Sequence, residues 1–161
     1  MFYLLLNWMN LVQPAIAPVT VYVFLADSCP ISQTATLALR NLYDQYAPRG
    51  VRFIGVFPAV ATTSATVKAF AKTYRVPFPL QLDPNRRLTR QLRPRVTPEV
   101  IVLGNDSRTV LYKGRVDDGF AALGQPRPVL RHHELADALN DISAGRAVSV
   151  AHTEAVGCFI E

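Results

Sequence analysis

Two nearly uninterrupted runs of β-forming apolar residues, Val19 to Ala26 and Val51 to Phe57, flank a stretch of helical periodicity. Runs without polar alternation suit strands buried on both faces, as parallel strands covered by crossover helices are. The stretch between them begins at Pro30, a good first helical residue because an N–H there would have no intrahelical acceptor. Ile31, Ala35, Ala38, Leu42 and Tyr46 then recur at helical spacing until Pro48 and Gly50 stop the pattern. Strand, helix, strand in this order predicts a parallel βαβ unit and commits the chain to an α/β fold.

The remaining segments extend that unit. Thr62 to Ser64 can cap a second helix with Val67, Phe70, Ala71 and Tyr74 on one side, ended by Val76-Pro77. A short run, "FPLQL", leads to Asp83-Pro84, read as an N-cap and a first-turn proline, and to a helix bearing Leu88 and Leu92. Glu99 to Leu103 and Thr109 to Lys113 are strands around the turn residues Gly104-Asn105-Asp106-Ser107, which predicts a β-hairpin just after Thr97-Pro98. The loop "GRVDDGFAALGQPRP" precedes a helix expected from about Leu130 to Ala144, with Leu135, Ala138, Leu139 and Ile142 inward and Gly145 at its end. The tail "RAVSVAHTEAVGCFIE" has no helical period. The expected organisation is an apolar N-terminal segment (1–18), one α/β domain (19–145) and a C-terminal tail (146–161).

A chain of 161 residues, 50% of them apolar, can bury one sizeable core without disulfide staples. Its formal charge of +5 comes mostly from arginine, and Arg86, Arg87, Arg90, Arg93 and Arg95 crowd one segment. Such a cluster can meet phosphates, but no aromatic residues interleave with it and no nucleic-acid motif accompanies it. A solvated helix face is the simpler reading, and no nucleic-acid partner is expected. Two cysteines, Cys29 and Cys158, exclude a disulfide scaffold and a four-thiolate zinc site while leaving one redox pair.

The N-terminus, "MFYLLLNWMNLVQPAIAPVT", is apolar and contains Ala15-Ile16-Ala17, the small-x-small form of a signal-peptidase site. No Lys or Arg precedes the run, Pro18 would follow the cut, and Asn7, Asn10 and Gln13 interrupt it. Two readings stand: an export signal, which places the protein in the periplasm or outside the cell, or a short element packed on a cytoplasmic domain. The interruptions leave no integral membrane span.

Cys29 falls where the first strand gives way to the first helix. There a thiol faces unpaired backbone N–H groups and the positive end of the helix dipole, which favour thiolate and lower its pKa. The bland alternative is an inert buried thiol.

The order β-α-β-α, then β-β-α, with cysteine at the first strand-to-helix junction and Thr97-Pro98 before the hairpin, resembles the thioredoxin-like fold. The segments "FLADSCPIS", "FPLQLDPN", "VTPEVIVL", "YKGRVDD" and "AVGCFI" resemble the redoxin branch that includes alkyl hydroperoxide reductase and thiol-specific antioxidant relatives. The resemblance implies a mixed β-sheet flanked by helices on both sides, Cys29 as nucleophile, and Pro98 as a cis-proline packed beside it. It also implies that Thr97 and Pro30 border the substrate.

Two departures matter. The usual C-x-x-C motif has its second cysteine where this chain has Ser32, which can donate a hydrogen bond to a thiolate but cannot resolve a mixed disulfide. The peroxiredoxin pattern also has a proline, a threonine three residues before the cysteine and an arginine that polarise peroxide. Tyr22 and Ala26 occupy the first two positions, and Arg95 or Arg115 are the arginines able to approach.

Cys158 is the candidate partner. The 13 steps from Gly145 to Cys158 span up to about 40 Å at roughly 3.3 Å per residue, against an expected radius of gyration of about 15 Å. The tail can therefore return to Cys29. Cys158 is open to three readings: resolving thiol, packed or free tail thiol, or metal ligand together with His152 and Cys29 in a copper-type site. A disulfide closing so long a loop would also stabilise by about 4 kcal/mol, so a bond there can be structural or catalytic. His132 and His133 read as surface residues. Asp117 and Asp118 either order the loop after the hairpin, with Arg115 paired to one of them, or relay protons together with Asp27.

The expected function is thiol-disulfide exchange with Cys29 attacking, Pro98 positioning the substrate, Ser32 nearby and Cys158 resolving. The expected partner is a thiol or disulfide protein or a small oxidised substrate, with an unspecified electron donor and no cofactor or resident metal. The alternatives are a slow thiol peroxidase and a non-catalytic copper- or partner-binding module.

Overall fold

The computed structural model describes residues 18–160. The N-terminal apolar run and its Ala15-Ile16-Ala17 sequence lie outside the described residues. No helix of the described residues is long and apolar enough to cross a membrane.

The βαβ unit forms as its sequence requires. Strand β1 (Thr20–Phe24) leads into helix α1 (Pro30–Tyr46), a short 3-10 turn (Ala47–Arg49) and strand β2 (Arg52–Phe57). Gly50 ends the helical segment at φ 98°, a left-handed backbone that costs a residue without Cβ little. Helix α2 (Ser64–Tyr74) opens on a capping box between Thr63 and Thr66. Strand β3 (Leu80–Leu82) follows.

Helix α3 (Arg87–Leu92) begins later than Asp83-Pro84 suggests. Pro84 and Asn85 form a turn, and the buried Asp83 carboxylate reaches across it to the Leu88 and Thr89 N–H groups at 3.3 and 2.8 Å. Asp83 thus satisfies the helix start from a distance. Burial works against its charge, but the bonds from Thr89 and its neighbours prevail and hold its pKa below the usual carboxylate value.

Strands β4 (Val96–Thr97), β5 (Glu99–Leu103) and β6 (Val110–Gly114) then bring the chain across the sheet. A small hairpin, β7 (Phe120–Ala122) and β8 (Gln125–Pro126), stands inside the loop that reads as irregular in the sequence. Helix α4 (Glu134–Ser143) starts four residues after Leu130. The cause is Asp118, whose carboxylate takes the backbone N–H groups of Arg131 and His132 at 2.9 and 3.1 Å and holds that approach extended. The chain ends in β9 (Cys158–Phe159).

The main sheet has the order β3-β2-β1-β5-β6, parallel on the first side of β1 and antiparallel on the other. Alternate residues of its central strands feed two apolar layers. Val21, Val23, Phe53, Val100 and Val102 meet α1, α2 and α4 through Leu39, Leu42, Phe70, Leu135 and Leu139. Phe24, Val56, Ile101 and Leu103 meet α3 through Leu92 on the opposite face. Each such fully buried side chain contributes about 1.5–3 kcal/mol relative to exposure. Tyr46 ties the end of α1 to α4 by donating its hydroxyl to Asn140 Oδ1.

Of the clustered arginines, Arg87, Arg90, Arg93 and Arg95 are exposed around α3.

Candidate active site: two thiols beneath a C-terminal strand

The parallel half of the sheet delivers the chain from β1 to the start of α1, and Cys29 is the residue that caps that helix. The connecting loop is pinned at several points. Cys29 N–H donates to Ala26 O, Ala26 N–H to Ser32 Oγ at 3.2 Å, Gln33 Nε2 to Asp27 O, and Thr62 Oγ1 to Asp27 Oδ1. Asp27 therefore shapes the loop. Pro30 opens the helix, and the N–H groups of its first turn, which have no intrahelical acceptor, lie beside the thiol.

The Thr97–Pro98 peptide, which is cis, stands opposite. Cys29 Sγ lies 3.2 Å from the Thr97 carbonyl, to which it donates when protonated. Strand β9 pairs antiparallel with β4, setting Cys158 across from Thr97 and Phe159 across from Val96. Gly157 is pressed so closely on the Thr97 carbonyl that a Cβ there would collide with it. The result brings Cys158 Sγ to 2.8 Å from Cys29 Sγ, with both thiols free.

The pair is electrostatically unequal. Burial disfavours the Cys29 thiolate, but hydrogen bonds from the Cys158 thiol, the Ser32 and Cys158 N–H groups and the Ser32 hydroxyl outweigh it and lower the Cys29 pKa from 9.0. Cys158 moves the other way, to about 11, through burial, its hydrogen bond to Cys29 and repulsion from the Cys29 charge. One thiol of the pair is prepared to ionise and the other to remain protonated beside it.

The structure thus brings together Cys29, Pro30, Ser32, Thr97, Pro98 and Cys158. Other sequence candidates go elsewhere. Arg115 pairs with Glu134, not with Asp117 or Asp118, because the start of α4 brings that buried carboxylate to it. Arg95 pairs with Glu154 on the surface at 2.6 Å. Asp117 and Asp118 bind backbone N–H groups of their own loop. His152 is exposed, and among the described residues no three His, Cys, Asp or Glu side chains converge on a metal position. The copper-type site therefore lacks its ligand set there.

Three contributors had no sequence signal: the Thr97 carbonyl, the close approach of Gly157, and β9, which is too short for a β-pattern. An open apolar groove of about 470 Å³ runs beside Pro98 and α1, walled by Ile31, Leu37, Pro98, Phe120, Leu130 and Val156.

A mixed sheet with a cysteine at the N-cap of its first helix and a cis-proline facing it defines a thioredoxin-like protein. The AhpC/TSA family model matches residues 10–112, and the chain belongs to the AhpC/TSA family. It is 34% identical over 74 residues to chloroplastic peroxiredoxin Q of Triticum aestivum, a match covering 46% of this chain and 33% of that one. The match thus spans about a third of that relative's length. Among solved structures, an uncharacterized conserved protein from Geobacillus kaustophilus superposes with a TM-score of 0.79 at 24% identity, covering 91% of this chain and 78% of its own. A thioredoxin-like protein from Aeropyrum pernix gives a TM-score of 0.58 at 19% identity, covering 82% and 80%.

Proposed function

We propose that the protein is a thiol-disulfide oxidoreductase in which Cys29 attacks and Cys158 resolves. The observation that carries this reading is the 2.8 Å approach of two free thiols, one of them at the N-cap of a helix. The Cys29 thiolate attacks one sulfur of a substrate disulfide, forming a mixed disulfide and releasing the other sulfur as a thiolate. Cys158 then loses its proton and attacks Cys29 Sγ, releasing the second substrate thiolate and leaving a Cys29–Cys158 disulfide. Burial still disfavours the Cys158 thiolate, but once Cys29 is bound in the mixed disulfide the hydrogen bond and charge that add to that effect are gone, so Cys158 ionises more readily at that step. An external dithiol returns the two electrons.

In this reading Pro98 and Thr97 border the substrate backbone, Pro30 fixes the helix start, and Ser32 supports the thiolate through its N–H and hydroxyl. Residues 146–161 act as a catalytic tail on the domain spanning 19–145. Ala15-Ile16-Ala17 supports export to an oxidising compartment, which the intact mass of secreted protein tests.

A second reading, slow thiol peroxidase, is favoured by the family match and the likeness to peroxiredoxin Q. Cys29 thiolate would attack the O–O bond, giving Cys29 sulfenic acid and an alcohol or water. Cys158 would then condense with it, releasing water and forming the same disulfide. Tyr22 and Ala26 stand where the peroxide-polarising residues are expected, which supports the exchange reading as the first.

The test is turnover of a small disulfide and of hydrogen peroxide by wild type and Cys29→Ser under a dithiol reductant. Loss of disulfide reduction in the variant supports exchange; peroxide turnover without disulfide turnover replaces it with the second reading.

A further inference from the structure

We infer that Thr153, held by Tyr112, is a positioning residue for the Cys158 thiol: it anchors a strap, residues 154–160, that must lift before Cys29 meets a partner. This inference rests on the exchange reading of the two thiols.

Cys29 is only 1% exposed, so no outside disulfide reaches its sulfur while β9 covers it. The covering segment is unevenly held. Beyond Thr153 its ties are the two-residue pairing of β9 with β4, the Gly157 packing on Thr97, the Cys158–Cys29 thiol contact, the exposed Arg95–Glu154 ion pair, a bond from Ile160 N–H to Arg95 O, and a long one from Thr97 Oγ1 to Cys158 O. A two-residue ladder and a solvated ion pair are ties that open readily.

Thr153 itself is fixed. The Tyr112 ring is fully buried, and its hydroxyl donates to Arg115 O and meets Thr153 Oγ1, each at 2.7 Å. Thr153 Oγ1 also accepts from Arg115 N–H, and Thr153 N–H donates to Lys113 O at 3.0 Å. Gly114 lies so close that a Cβ there would strike Thr153. Both the N–H and the hydroxyl of Thr153 are bonded, and the backbone beneath has no room to slide.

The anchor sets the reach of Cys158. Cys158 lies five steps along the chain from Thr153, a span of at most about 17 Å. A lifted strap therefore keeps the resolving thiol near Cys29 and returns it after the first attack. The next hold along the chain is Ala151, whose carbonyl accepts from Lys113 N–H at 2.9 Å. With Thr153 released and Ala151 still held, the tether lengthens from five steps to seven, which lowers the effective concentration of Cys158 at Cys29 about 1.7-fold by the −3/2 power of length. Loss of the fixed direction at Thr153 adds to that.

The experiment is the equilibrium of Cys29–Cys158 with a glutathione redox buffer, in the full chain, for wild type, Thr153→Val, Thr153→Ser and Tyr112→Phe. Thermal unfolding is recorded on each, so that an unfolded variant is recognised and the other is read. The expected result is an oxidation constant lower by about 1.7-fold or more in Thr153→Val and Tyr112→Phe. Thr153→Ser, which keeps the hydroxyl, is expected at the wild-type value. Folded Val and Phe variants with unchanged constants overturn the anchor while leaving the exchange reading intact. A wild type that forms no Cys29–Cys158 disulfide overturns both.

Discussion

Cys158 faces Thr97 across the β4–β9 pair and thereby sets its sulfur 2.8 Å from that of Cys29, 129 residues earlier in the chain. The separation of roles follows from this placement. Cys29→Ser should lose turnover to background. Cys158→Ser should keep the first attack and accumulate a mixed disulfide, which intact mass detects as an adduct on Cys29. An adduct-free Cys158→Ser variant with normal turnover contradicts the resolving role.

Gly157 permits the approach of the tail, since a side chain there meets the Thr97 carbonyl. Gly157→Ala should lift β9 from β4, exposing Cys29 and separating the sulfurs. The expected outcome is faster alkylation of Cys29 by iodoacetamide together with a lower yield of the intramolecular disulfide. Equal alkylation rates in variant and wild type count against the cover.

The unequal thiols make a pH prediction. Cys158 is a principal donor to the Cys29 thiolate, so Cys158→Ala should raise the Cys29 pKa, read from thiolate ultraviolet absorbance. Stability follows the same linkage. The lowered Cys29 value stabilises the reduced fold above pH 9, and this is lost as pH falls through the folded value. The raised Cys158 value stabilises below pH 9, and this is lost as pH rises toward about 11. The second loss should be missing in Cys158→Ala, as thermal midpoints across that range will show.

Asp141 secures the base of the tail, accepting from Ser149 and from Arg146 Nη2 at 2.7 Å, and these contacts lower its pKa to about 2. Its contribution is complete above the ordinary value of 3.8 and disappears as pH falls toward 2. Asp141→Asn should therefore lower the thermal midpoint at pH 7, and the gap to wild type should close below pH 4. A gap independent of pH contradicts this role for the charge.

The parts of this molecule legible in its sequence are those with local causes. Continuous apolar runs mark β1, β2 and β5, Pro30 marks the start of α1, and the turn before Val110 marks the hairpin. Cys29 is found because the strand-to-helix junction lies within its own neighbourhood. Long-range partners set what the sequence misplaces. Asp118 delays α4 by holding Arg131 and His132, Asp83 bonds α3 across a turn, and Glu134 takes the arginine expected to serve the aspartates. The β9 strand had no signal because two residues carry no period; its partner, β4, fixes it.

The most direct test of the central claim is peptide mapping of mildly oxidised protein, with the reduction potential of any bond found. We expect a Cys29–Cys158 linkage with a potential of about −270 mV or higher, the range of exchange-active pairs. A linkage below about −300 mV would mark a structural staple, and two free thiols after oxidation would contradict the account.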